Sequence, residues 1–125
     1  MPTLTQAPTL GDLLKYEAPN LYSRERATVA AGQNLPLGAV VGRVTATSKL
    51  KALDPAAGDG SEVAVGVLAL DVDATLIDRE DAILIARHAI VARGALIWPA
   101  GVTTAQRAAA IAQLEARGIV VRDSA

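Results

Sequence analysis

Few residues of this chain could do acid–base, nucleophilic or metal chemistry, because it has a single histidine, His88, and no cysteine. His88 sits in the apolar run DAILIARHAIVARGALIWP beside Arg87, with no serine or glycine-framed nucleophile near it, and reads as a structural or surface residue. Zinc takes several nitrogen or sulfur ligands, and a lone histidine leaves that work to carboxylates, which zinc sites rarely use alone. In DVDATLIDREDA, Asp71 and Asp73 stand at the first and third places of a calcium loop, but Leu76 occupies the position that needs glycine. Ala82 stands where a bidentate glutamate is required, so the stretch reads as a solvated turn between two strands.

Phosphate chemistry fares no better. Gly58-Asp59-Gly60 has neither the third glycine of a dinucleotide fingerprint nor a following Lys-Ser/Thr pair, and it precedes a strand-like run rather than a helix. Ser23, Ser48, Ser61 and Ser124 lack the glycine-framed elbow that activates a serine nucleophile. The inventory builds no enzyme and calls for no cofactor or metal. Trp98-Pro99 is the remaining oddity: the only tryptophan is either a core anchor or an interface hot spot, since Trp joins large apolar area to one N–H donor.

The elements that would position these residues are mostly strands. Short β-rich runs alternate with Gly, Pro and Asp punctuation, and predict strands near 28–30, 40–45, 50–53 and 63–70. A turn over 34–38 and a loop over 54–61 separate them, and β-branching predicts one or two further strands before Pro99. GVTTAQRAAAIAQLEARGIVVR predicts a helix with Thr103 as N-cap and Gln106 completing a capping box. Gly118 suits the left-handed residue of a Schellman ending, with Ile119 meeting Leu114, and a short strand 119–122 closes the chain. Ala108, Ile111, Ala112 and Leu114 are expected to face inward. The fold class is mostly β with one or two short helices.

The front is different. Between Gly11 and Arg26 lie both tyrosines, several charges and Pro19, with neither a helical nor a strand period, so residues 1–26 read as an extended, mobile arm and 27–125 as the domain. Alanine is about a fifth of the sequence and phenylalanine is absent, so the core is aliphatic and thin, and self-association is expected to supplement it. Twelve basic and thirteen acidic residues give a net charge of -1 without a basic stripe, which argues against nucleic-acid binding. No signal peptide, membrane span or internal repeat is evident.

Three pieces taken in order, LGDLLKYEAPNLYSRERATVAAGQNLPLGAVVGRV, SKLKALDPAAGDGSEVAVGVLALDVDAT and ALIWPAGVTTAQRAAAIAQLEARGIVV, resemble the head decoration proteins of lambda-like bacteriophages and prophages. The strongest points are Ala64-Val65-Gly66-Val67-Leu68 after a glycine-containing loop and Leu96-Ile97-Trp98-Pro99 before the helix. The resemblance implies a β-clip-like fold, a homotrimer without enzyme activity, and binding to the major capsid protein at three-fold sites of the expanded head. There it would sit on the outer surface of the virion, having waited in the host cytoplasm before assembly, and resist the pressure of packaged DNA. On this reading Leu10, Leu13, Leu14, Tyr16, Leu21 and Tyr22 are the capsid-binding groups of the arm, ordering by strand addition to another sheet edge. A different reading is a small β-clip ligand-binding or carrier module, but a carrier should display a modifiable lysine at a hairpin tip, and Lys49 and Lys51 in SKLKAL have no methionine beside them.

Overall fold

The computed structural model describes residues 9–19 and 22–123. Its centre is a closed barrel of five strands in the order β2-β5-β4-β6-β8, formed by β2 (Arg24–Val29), β5 (Leu50–Ala52), β4 (Val40–Arg43), β6 (Ala64–Leu68) and β8 (Arg79–Ile85). All contacts around it are antiparallel except the short parallel join of β2 to β5 at Val29 and Leu50. Beside the barrel lies a sheet of β1 (Leu14–Glu17), β9 (Ala89–Ala92) and β10 (Ile119–Arg122), and a two-stranded sheet joins β3 (Gln33–Leu35) to β7 (Val72–Ala74). Helix α1 covers Leu10–Leu13, and helix α2 (Thr104–Glu115) carries the crossover from β9 to the parallel strand β10. The chain is mostly β with two short helices, as its punctuation predicts.

Over β4, β6 and the end of β8 the barrel wall is buried on both sides, so these strands divide two apolar clusters. Val29, Val41, Leu50, Leu68 and Leu84 fill the interior. Val40, Val67 and Ile85 point outward, where Leu13, Val91, Leu114 and Ile119 from the second layer cover them. Strand alternation explains the pairing of neighbours such as Val40 with Val41 and Leu84 with Ile85 on opposite faces. In β6 the period slips: Val41 lies opposite Gly66 while Gly42 lies opposite Ala64, leaving Val65 as an extra residue, so Ala64 and Val67 both face the outer cluster. A continuous apolar strand of this kind shows no alternation in sequence.

Helix α2 begins as its residues dictate. The Thr103 hydroxyl accepts from Gln106 N at 3.1 Å while the Gln106 amide oxygen accepts from Thr103 N at 2.9 Å. Its inward face differs from expectation: Ala110 and Leu114 are buried and Ile111 is partly so, whereas Ala108 and Ala112 are exposed. The helix is turned so that the Gln113 amide oxygen accepts from Ala64 N at 2.8 Å, which ties it to β6. Nor does it end in a Schellman motif. Arg117 N and Gly118 N bond Leu114 O and Glu115 O, three residues back, and the left-handed Gly118, at φ +81, turns the chain into β10.

The front also differs from the expected arm. Thr9 and Asp12 cap α1 reciprocally, Leu13 is 1% exposed inside the outer cluster, and Leu10 and Leu14 pack against it. β1 then pairs with β9, and β2 starts at Arg24 rather than after residue 26, with Arg24 opposite Ile85 and Arg26 opposite Ile83. The physical reason is that the apolar groups of 10–14 have a place to go within their own chain, over the outer face of the barrel. A boundary at residue 26 cuts through a strand.

Candidate functional site

The groups expected to bind a partner separate by burial. Leu13 belongs to the core, Leu10 and Leu14 are half-buried, and Tyr16 and Tyr22 are each 54% exposed; Leu21 lies outside the described residues. The tyrosines flank one stretch of backbone: Tyr16 is opposite Ile90 across the β1–β9 pair, and the Tyr22 ring stands 5.3 Å from that of His88. The Arg87 guanidinium lies 5.3 Å from the Tyr22 ring and donates to Tyr22 O at 2.7 Å. This aromatic and cationic edge is held from beneath by Ser23, which is fully buried. Its hydroxyl accepts from Ala18 N at 2.8 Å and donates to His88 O at 2.7 Å, while Ser23 O accepts from Ala86 N.

Ser23 and His88 are thus neighbours, a juxtaposition the sequence could not show across so long a separation. They do not form a nucleophile and base. The hydroxyl is bonded to the His88 carbonyl and not to its imidazole, and the exposed His88 adopts a left-handed backbone at φ 49 to bring that carbonyl round. Depressed carboxylates elsewhere have local causes. The Ser61 hydroxyl holds Asp59 low, the Thr75 hydroxyl does so for Asp73, and Lys49 for Asp78. Each is a turn or an exposed ion pair, and among the described residues no group of His, Cys, Asp and Glu is arranged to hold a metal ion.

Trp98 and Pro99 fall on a second surface. Both are partly buried: Trp98 packs against the outer cluster and carries Arg107 at 5.8 Å over its ring. With Leu35, Pro36, Ala39 and Ile97 they line a hollow of about 310 Å³ that adjoins a larger one beside Pro55 and Gly101 through the shared Gln33, Ala52 and Pro99. The tryptophan is therefore packed on one side against the outer cluster and partly open to the surface. No helix among the described residues is long and apolar enough to cross a membrane.

Fold and surfaces together describe a small β-barrel protein whose two tyrosines and single tryptophan lie on edges and shallow hollows. A family model described as bacteriophage lambda head decoration protein D matches residues 3–119 of the 125, and the chain belongs to that family. Among curated proteins no sequence matches it. As a phage head decoration protein it has its place on the virion capsid, and its family is not an enzyme family.

Proposed function

We propose that the chain binds as a homotrimer to the major capsid protein at the three-fold positions of the expanded phage head. There it joins neighbouring capsomers and stabilises the shell against the pressure of packaged DNA, having waited as a free trimer in the host cytoplasm. The observation that carries this reading is the family match over nearly the whole chain. The thin aliphatic core supports it, because alanine buries little area and a trimer adds interface to what one chain can bury.

The contact set follows from exposure. Tyr16 and Tyr22 offer large apolar rings with a polar tip, the composition that dominates interface energetics, and the half-buried Leu10 and Leu14 lie beside them; Leu21 joins the set by sequence alone. Leu13 could join only by leaving the core. Three copies of a weak contact on one trimer bind tightly through effective concentration. The test is co-sedimentation of the purified protein with expanded and unexpanded shells of its parent phage. Binding to expanded shells alone, lost on changing Tyr16 and Tyr22 together to serine, is the expected outcome; equal binding to both shells, or to neither, refutes the reading.

A further inference from the structure

At one end of the barrel the inward-facing positions stop being apolar. Ala27 and Val29 of β2 give way to Glu25, Val41 of β4 gives way to Arg43, and Leu84 is followed by Ala86 and then Arg87. These side chains and Arg117, just past α2, surround a hollow of about 230 Å³ whose floor is Val65, Leu84 and Ala86. Glu25 is shared: one oxygen accepts from Arg87 Nη2 and the other from Arg43 Nη2, both at 2.9 Å. Arg43 Nη1 also reaches Ser48 O and Arg87 Nη1 reaches Tyr22 O, so two guanidiniums are fixed in place.

As a plug for the barrel end, the fork of Glu25 with Arg43 and Arg87 would be enough. It leaves Arg117 unexplained. Among the described residues Arg117 has no hydrogen-bond or ion-pair partner, and the Nε–H groups of Arg43 and Arg87 have no acceptor. The lining thus carries three positive charges against one negative, in a chain whose net charge is -1. Arg43 and Arg87 are already held over the apolar floor, so an anion need order only the exposed Arg117, and one side of the site excludes water. Barrel mouths are common ligand sites.

We propose that this barrel mouth binds a carboxylate ligand, with Arg117 as its principal anchor and the free N–H groups of Arg43 and Arg87 completing the grip. Glu25 shows the geometry on offer, since each of its oxygens takes a separate guanidinium, and a dicarboxylate would balance the excess charge. The chemistry is common to a free dicarboxylate and to an acidic side chain of another protein. This site stands independently of the shell-binding reading, and is tested without shells.

The experiment follows the arginine Nε–H resonances of the full chain by NMR during titration with sodium succinate, and separately with a glutamate-rich synthetic peptide, against sodium chloride at matched ionic strength. Saturable shifts at Arg43, Arg87 and Arg117 with a dissociation constant on the order of millimolar are expected. Arg117→Gln, which breaks no bond of the fold, should weaken them about tenfold, the loss of one charge-assisted contact, while Arg122→Gln should not. Tighter binding of the peptide would assign the ligand to a protein side chain, and tighter binding of succinate to a free acid. Shifts that rise linearly with both probes and match those in chloride, or that survive Arg117→Gln unchanged, overturn the proposal.

Discussion

Glu17 and Arg24 meet through two parallel hydrogen bonds of 2.7 Å, Nε to one carboxylate oxygen and Nη2 to the other, and so clasp the end of β1 to the start of β2. The bidentate bond from Arg24 holds the Glu17 carboxyl below its ordinary value of 4.5 and raises Arg24 in turn. A lowered folded value means stabilisation that is fully present above the unfolded value and is lost as pH falls through the folded one. Glu17→Gln should therefore cost about 0.5–1 kcal/mol near neutrality, allowing for solvent screening of a partly exposed pair. Urea melts should show the gap between parent and variant closing below pH 4.5; a gap that persists in strong acid would exclude the clasp as its source.

Leu13→Ala tests whether the front belongs to the domain. A fully buried leucine cut to alanine costs about 2–5 kcal/mol, depending on how far the site collapses. A fall in Tm of roughly 4 °C for each kcal/mol is expected by calorimetry. Deleting residues 1–17 should lower Tm as much as Leu13→Ala or more.

Ser23→Ala leaves Ala18 N and His88 O without their partner in a site from which water is excluded. The expected cost is about 1–3 kcal/mol, because an unpaired buried group forfeits its whole desolvation penalty. Amide exchange should accelerate around residues 86–90 more than in β4 or β6. Uniform acceleration would mean that Ser23 contributes only to global stability.

Gly42 in β4 faces the backbone of the 59–61 turn, and a Cβ there would fall 2.4 Å from Ser61 O and 2.6 Å from Ser61 Cα. Backbone on both sides cannot give way, so Gly42→Ala should abolish folding or leave insoluble protein. Gly94→Ala meets nothing within 4 Å and should be neutral or slightly stabilising, since it reduces only the freedom of the unfolded chain. Soluble yield and circular dichroism of the pair decide the matter.

Trp98→Ala should cost about 1–3 kcal/mol, less than a fully buried ring, because one face of the indole is already open and bears Arg107. The emission maximum of the parent should lie between those of buried and free tryptophan.

The sequence made the helix most readable, since Thr103 and Gln106 cap it by a local rule that tertiary packing does not override. The two strands around Arg87 and His88 were legible from β-branching. Strand β2 was legible only at its end, near 28–29; its start was not, because its inward Glu25 is satisfied by arginines from β4 and from beyond β8, and a polar residue at an inward position destroys the period that marks a strand. The short strands β3 and β7 lie in stretches whose Asn, Pro and Asp residues read as turns, and β1 lies in the stretch without a period. Of the contact residues, Tyr16 and Tyr22 were identifiable by type, but the burial of Leu13 depended on where the front folds back, which spacing alone does not encode.

Barrel closure has a temporal side. Strand β2 joins β5 and β8, both of which follow it in the chain, and Arg24 waits for Ile85, about sixty positions further on. During synthesis the early strands leave the ribosome with their hydrogen-bonding edges open, and no local partner can satisfy them. Closing so distant a pair costs loop entropy before any contact repays it, which places such topologies among folders of milliseconds to seconds. A chain of this topology is most exposed to wrong pairing between copies before its eighth strand is complete. Charged residues such as Arg24, Glu25 and Arg26 on β2 make that open edge a poor template for a neighbour in the interval.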